Sequence, residues 1–394
     1  MKRASAPGAA GFCCGLLLAA CLASSCTDPP GPLPPPSTAP STAPSPAPVT
    51  GTTSAPPFAR TTPPVPTSPI PSASADATNS MVFLELQASL EVFSRELISQ
   101  GAPAVLMEAR SGLQSWTSAA GVRSLESGLP VDASDPIVVG GVLRSMLAVS
   151  VLKLVEEGKA ALDVPVSAYL PDLTGGVAGG SDGPVGDLSL RYLLADSSGR
   201  DSSRWADTVL IRVVERLRGA ALIDVLRREV WGPLGLRSMA LLDDAGAIPN
   251  LVHGYASTDG GTVDITETPP TAGQSPPRLV SSAADVNTFQ AALLGGRLLA
   301  PSSLLLMKGM VSADYGLGLD QWDDRCTNGN YYGHAGDLPG FGTITMSSAD
   351  GNRQLTIAVA TPPEPVTGQP SAIVLELTHL AQVVLNSSCR FRFG

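Results

Sequence analysis

Histidine is scarce in this chain, with only His253, His334 and His379 among 394 residues and no cysteine or carboxylate beside any of them at ligand spacing. A zinc-type site draws its ligands from such clusters, so neither a metal nor any other cofactor is expected. Positive charge is in short supply too: 25 Lys and Arg face 35 Asp and Glu, giving a net charge of -10 and a pI near 4.8. Without a sequence-wide basic field to release counterions, nucleic acid is not an expected partner. Beyond residue 26 only two of the six cysteines remain, Cys326 and Cys389. Two cysteines exclude a disulfide framework; they leave one disulfide or two separate buried thiols.

The other four cysteines sit in residues 1–26, where Lys2 and Arg3 precede a short apolar stretch and then small residues. The stretch is too short for a membrane span and has the pattern of an export signal, which puts the rest of the chain in an oxidising compartment. Leu18-Ala19-Ala20-Cys21 resembles the lipobox of bacterial lipoproteins, in which Cys21 is the lipidated residue; Ala23-Ser24-Ser25-Cys26 is a weaker second candidate. The expected location is the outer face of the cytoplasmic membrane, in the cell envelope, held there by the lipid. Residues 27–80 carry 17 of the 36 prolines among Ser, Thr and Ala, a composition that builds no core. Such a segment is an extended tether, at about 3.1 Å per residue where proline dominates.

The ordered domain is expected over residues 81–394. Apolar residues spaced by three and four predict an amphipathic helix over 81–100, stopped at Gly101. Two strand patterns follow around the Ser111-Gly112 turn. A helix is expected from Val142 to Gly158, a second helical run over 206–230, strands over 342–348 and 354–361, and a last helix over 371–386. The plan is α/β (α+β), with an antiparallel sheet flanked by N- and C-terminal helices and a mostly helical second region.

Five segments, LKLVEEGKAALDVPVSAYLPDL, LRYLLADSSGR, WGPLGL, RLVSSAADVNTFQAALLGG and GHAGDLPGF, together resemble in order the landmarks of the serine β-lactamase and D,D-peptidase family. The resemblance implies that family's fold over 81–394. It also implies a site made of a Ser-x-x-Lys pair opening a buried helix, a Tyr-x-Asn loop, and a His-x-Gly or Lys-x-Gly strand. Residues three apart share a helix face, so in such a site the lysine can take the serine's proton as it attacks a carbonyl. The strand supplies backbone to the oxyanion.

Set against that pattern, His334-Ala335-Gly336 keeps the third element. Counting back from LVEEGK and forward from Gly121 both put Gly141-Val142-Leu143-Arg144 where Ser-x-x-Lys belongs. Glycine has no nucleophile, and arginine stays protonated. The Tyr-x-Asn neighbourhood holds no tyrosine and offers only Trp205 and Asp207, or Ser202 and Arg204, as replacements. The family-site positions are therefore Gly141, Arg144, Trp205, Asp207, His334 and Gly336. A literal Ser150-Val151-Leu152-Lys153 lies nine residues late, where Ser150 is expected to bond back to a carbonyl and Lys153 to be a helix-surface charge. Asp323 and Asp324 are expected as a solvated loop pair. His334 either binds a ligand carboxylate or carbonyl or preserves a turn; Arg144 either clamps a ligand carboxylate or pairs with an acid of the protein.

Three functions follow as expectations. The first is a non-catalytic surface lipoprotein binding cell-wall peptide or an envelope protein. The second is a working esterase, amidase or carboxypeptidase with a relocated serine such as Ser145 or Ser198. The third is an inert scaffold.

Overall fold

The computed structural model describes residues 73–173, 187–195, 201–242, 246–268, 276–311, 314–366, 371–387 and 389, all within the unit Thr67–Gly394. Cys21, Cys26, residues 27–72 and Ser198 lie outside the described residues, as do the side chains of Ser202 and Arg204. No helix among the described residues is long and apolar enough to cross a membrane.

The first helix, α1 (Ala73–Ser99), starts eight residues before the expected Met81. Its apolar spacing buries Phe83, Leu86, Leu90 and Leu97, and it stops at Gly101, whose φ of 97° suits glycine. Strands β1 (Ala104–Ser111) and β2 (Gln114–Gly121) form the expected hairpin. After β3 (Ile137–Val138) comes α2 (Val142–Glu156), which buries 12 of its 15 residues because its sequence is apolar on every side.

The helical middle comprises α3 (Leu190–Ala195), α4 (Asp201–Arg218), α5 (Leu222–Leu226), a π turn over Arg227–Trp231, and α6 (Gly232–Leu234). The single run expected over 206–230 is thus broken: Gly219, at φ 62°, turns the chain after α4. Short strands β4 (Ala240–Leu241), β5 (Tyr255–Thr258), β6 (Gly261–Asp264) and β7 (Leu279–Ser281) make two small antiparallel sheets, β3-β7-β4 and β5-β6. Helix α7 (Ala283–Leu294) is capped by Ser282, whose hydroxyl accepts from the Asp285 amide, and α8 (Pro301–Lys308) follows it.

The chain then completes the main sheet with β8 (Asp320–Asp324), β9 (Gly329–Leu338), β10 (Phe341–Ser348) and β11 (Arg353–Ala360), and closes with α9 (Ala372–Ser387). Its six antiparallel strands run β2-β1-β11-β10-β9-β8, so the first hairpin pairs with the last strand. The two faces of the sheet differ in chemistry. One face packs Val105, Met107, Ile344, Met346, Leu355, Ile357 and Val359 against α1 and α9. The other carries a row of register partners, Thr117, Glu108, Thr356, Thr345 and His334, with α7 packed over β1, β11 and β10 and α2 over β9.

Two expectations change here. Asp324 is no solvated loop residue: it is 1% exposed at the end of β8 and pairs with buried Arg353 at 2.7 Å, while its neighbour Asp323 stays exposed. A carboxylate can be buried when a guanidinium is buried with it. Lys153 is not a plain surface charge either, since it is half-buried and donates to the Glu229 carbonyl at 3.2 Å. A disulfide joins Cys326, after β8, to Cys389, beyond α9.

Candidate functional site

The site is built where α2 begins beside β9. Gly141 caps α2 with φ 74° and ψ -37°, a backbone state that an L side chain rarely adopts. A Cβ there would stand 2.3 Å from His334 Nδ1 and 2.8 Å from the Ala335 carbonyl oxygen. The imidazole therefore fills the space in which a side chain at 141 would begin. Gly140 and Gly336 let the two backbones touch: a Cβ on Gly336 would lie 2.2 Å from Gly140's carbonyl carbon and oxygen.

His334 stands on β9, opposite Thr345 of β10. Its Nδ1 is 2.7 Å from the Ala335 carbonyl oxygen, which can only accept, so Nδ1 carries the hydrogen. In the neutral ring, Nε2 then accepts from the Tyr315 hydroxyl at 3.3 Å. Asp320 of β8 braces this part of β9, accepting from the Ala335 amide at 2.8 Å and lying 3.4 Å from His334 Nδ1.

One turn into α2, Arg144 is 4% exposed and its guanidinium is held on three sides. Nε donates to the Tyr315 hydroxyl at 2.9 Å, Nη2 to the Leu193 carbonyl of α3 at 2.5 Å, and Nη1 to Asp207 of α4 at 2.5 Å. The Tyr315 hydroxyl thus accepts from Arg144 and donates to His334, and burial pushes its pKa far above the ordinary phenol value. Its hydroxyl links the two side chains as a hydrogen-bond relay.

Of the six sequence-derived positions, Gly141, Arg144, Asp207, His334 and Gly336 meet in this cluster. Of the two expectations for Arg144, the structure has the pairing with an acid of the protein. Trp205 joins the apolar core instead, 9% exposed, with its indole nitrogen buried and unpartnered among the described residues. Sequence reasoning passed over Tyr315 and Asp320. The usable signal was the Tyr-Gly-Leu-Gly run, because glycines mark close approach: a Cβ on Gly318 would meet Ala148 Cβ at 2.7 Å and the Arg144 carbonyl at 3.2 Å. That contact carries the Tyr315 loop onto α2.

Comparison with known proteins sets this geometry in a family. The family described as Beta-lactamase matches residues 91–376, nearly three quarters of the chain. The chain belongs to the beta-lactamase family. Among curated proteins it is similar to Esterase EstB of Burkholderia gladioli, 33% identical over 96 residues, which is 24% of this chain and 24% of the esterase. Among solved structures it is similar to a D-stereospecific amidohydrolase from Streptomyces sp., with 22% identity, a TM-score of 0.58, and coverage of 70% of this chain and 94% of that one. It is also similar to the D-amino acid amidase from Ochrobactrum anthropi SV3 complexed with D-phenylalanine, with 18% identity, a TM-score of 0.63, and coverage of 78% and 100%. These structural likenesses carry the fold.

Within this beta-lactamase-family fold, the other serines on α2 are occupied. Ser145 is wholly buried and donates to the Gly318 carbonyl at 2.8 Å; Ser150, also wholly buried, donates back to the Met146 carbonyl at 3.0 Å. Both hydroxyls are fully buried and spend their hydrogens on backbone carbonyls.

Proposed function

We propose that this member of the beta-lactamase family is non-catalytic, an exported lipoprotein tethered through Cys21 that acts as a binding or regulatory module for cell-wall peptide or an envelope protein. The observation that carries the reading is Gly141: a residue without a nucleophile, in a backbone state unsuited to serine, with the His334 ring standing where a side chain would start. The base position supports it, because Arg144 stays protonated and is bonded to Asp207, Tyr315 and Leu193. In a protease whose nucleophile and base act as a unit, losing them costs a factor of about 10⁶ in turnover, roughly 8 kcal/mol of barrier.

The names of the similar proteins favour the second reading, a working esterase or amidase with a nucleophile elsewhere. Ser145 does not serve it, for the reason given, and Ser198 lies outside the described residues. An inert scaffold would share the filled Gly141 position and differs in binding no ligand.

The test treats the full-length chain, alongside a Gly141→Ser/Arg144→Lys variant, with a fluorescent β-lactam and a fluorophosphonate. A folded wild type that takes neither label is the expected result. Wild-type labelling mapped to a single serine would sink the proposal and install the hydrolase.

A further inference from the structure

On the far side of α4 from the Gly141 cluster lies a cavity of about 550 Å³, walled by Leu170, Asp172, Arg212, Glu215, Arg216 and Ala220. Arg216 comes nine residues after Asp207, about two and a half helical turns, so these two side chains leave α4 on opposite sides. Arg212 and Arg216 are four apart and therefore neighbours on one face of the helix. Both arginines and Asp172 are exposed, and their side chains make no ion pair or hydrogen bond. Glu215 is committed within the chain, accepting from the Leu222 amide at 2.9 Å. Other arginines of this region spend their charge on the protein's own acids, Arg191 on Asp163 at 2.6 Å and Arg218 on Glu157 at 2.7 Å. In the cavity, charges of both signs face one space without meeting, beside the apolar Leu170 and Ala220.

We propose that this cavity binds a small zwitterion, an amino acid or short peptide with free termini, whose carboxylate is taken by Arg212 and Arg216 and whose ammonium is taken by Asp172. Planar guanidiniums suit a carboxylate, and a volume of this size suits a small molecule. A ligand carrying both charges bridges groups that the chain leaves unpaired, whereas a lone anion or a lone cation satisfies one side only. An apolar side chain on the ligand lies against Leu170 and Ala220. The site is separate from the Gly141 cluster and does not depend on whether that cluster is catalytic.

The test titrates the full-length chain with glycyl-leucine by calorimetry, beside N-acetyl-glycyl-leucine, which has lost the ammonium, and glycyl-leucinamide, which has lost the carboxylate. Glycyl-leucine is expected to bind in a saturable way and at least about tenfold more tightly than either blocked form. Asp172→Asn should abolish the preference over the N-acetyl form, and Arg212→Ala/Arg216→Ala the preference over the amide. Neither change should move the melting temperature, because these side chains hold no partner in the fold. If the alanine variant does not fold, Arg212→Gln/Arg216→Gln, which keeps long polar side chains, is titrated in its place. No saturable binding, equal binding of free and blocked peptides, or wild-type binding by the double variant overturns the site. Failure of the titration removes this site and leaves the labelling result standing, while labelling of the wild type would remove the non-catalytic reading without touching this cavity.

Discussion

The two faces of the six-stranded sheet carry opposite chemistry on the same strands. On β11, Leu355, Ile357 and Val359 point into a dry core under α1 and α9, while Gln354 and Thr356 point under α7 into a polar layer with Asn287, Thr345 and Glu108. This face is held mainly by area and packing, which apolar residues of the right volume supply, with the buried Arg353–Asp324 pair at its edge. The face under α7 also buries apolar residues, Leu106 and Ala358 among them, and adds specific pairings to that packing: Thr356 donates to Asn287 Oδ1 at 2.6 Å, the Thr345 hydroxyl lies 3.0 Å away, and Asn287 donates to the Glu108 carbonyl at 2.9 Å. The row ends at His334, in the candidate site. The candidate site sits at the end of that row of named partners.

The comparison is sharpest between neighbouring residues. Ile357→Ala, on the dry face, should cost about 2–5 kcal/mol in urea unfolding, as a large-to-small core change does. A loss under about 1 kcal/mol would mean that the face is not packed as described. Gly141→Ser, at the polar face's functional end, should cost about 2–5 kcal/mol through backbone strain and the clash with His334; the companion change His334→Ala should recover part of it. A thermal melt of the pair of variants checks this, and additive losses would show that the two sites do not touch.

Thr356→Val keeps shape and removes one hydroxyl, so the expected loss is about 1–3 kcal/mol, set by leaving Asn287 Oδ1 buried without its donor. A stabilised Thr356→Val would show that the polar layer contributes nothing over an apolar one. The smallest effect is a slope. Arg110 donates to Glu108 Oε1 at 2.8 Å, but Oε2 is buried with no partner among the described residues, so burial outweighs the ion pair and raises this carboxyl above its ordinary 4.5. The folded protein then keeps the proton after the unfolded chain has lost it, and the contribution to stability falls as pH rises from about 4.5 to the raised value. In Glu108→Gln that slope should vanish, as seen in melts across the range; an unchanged slope would assign it to another group.

Much of the fold is legible in the sequence because it rests on period and composition. The three-and-four spacing of Phe83, Leu86 and Leu90 gives α1, the strand patterns around Ser111-Gly112 give the first hairpin, and the landmark order gives the family. What failed was set by contacts between distant residues. Nothing near Asp324 announces Arg353 29 positions later, and the helical run over 206–230 reads as continuous until the turn at Gly219 is seen. In the site, the glycine at position 141 is readable in the sequence, whereas the partner of Arg144 is not, because Asp207 lies 63 residues away on another helix.

By itself the sequence determined the class of the fold, the scarcity of metal-ligating and basic groups, and the identities of Gly141 and Arg144 at the start of α2. Those are properties of residue identity and local spacing. The tertiary structure decided what fills the gap: His334 standing over Gly141, Asp207 on Arg144, and Tyr315 joining the two through one hydroxyl. Hydrogen bonds and close packing act over about 3 Å, and only the folded chain brings residues 141, 144, 207, 315 and 334 within that reach.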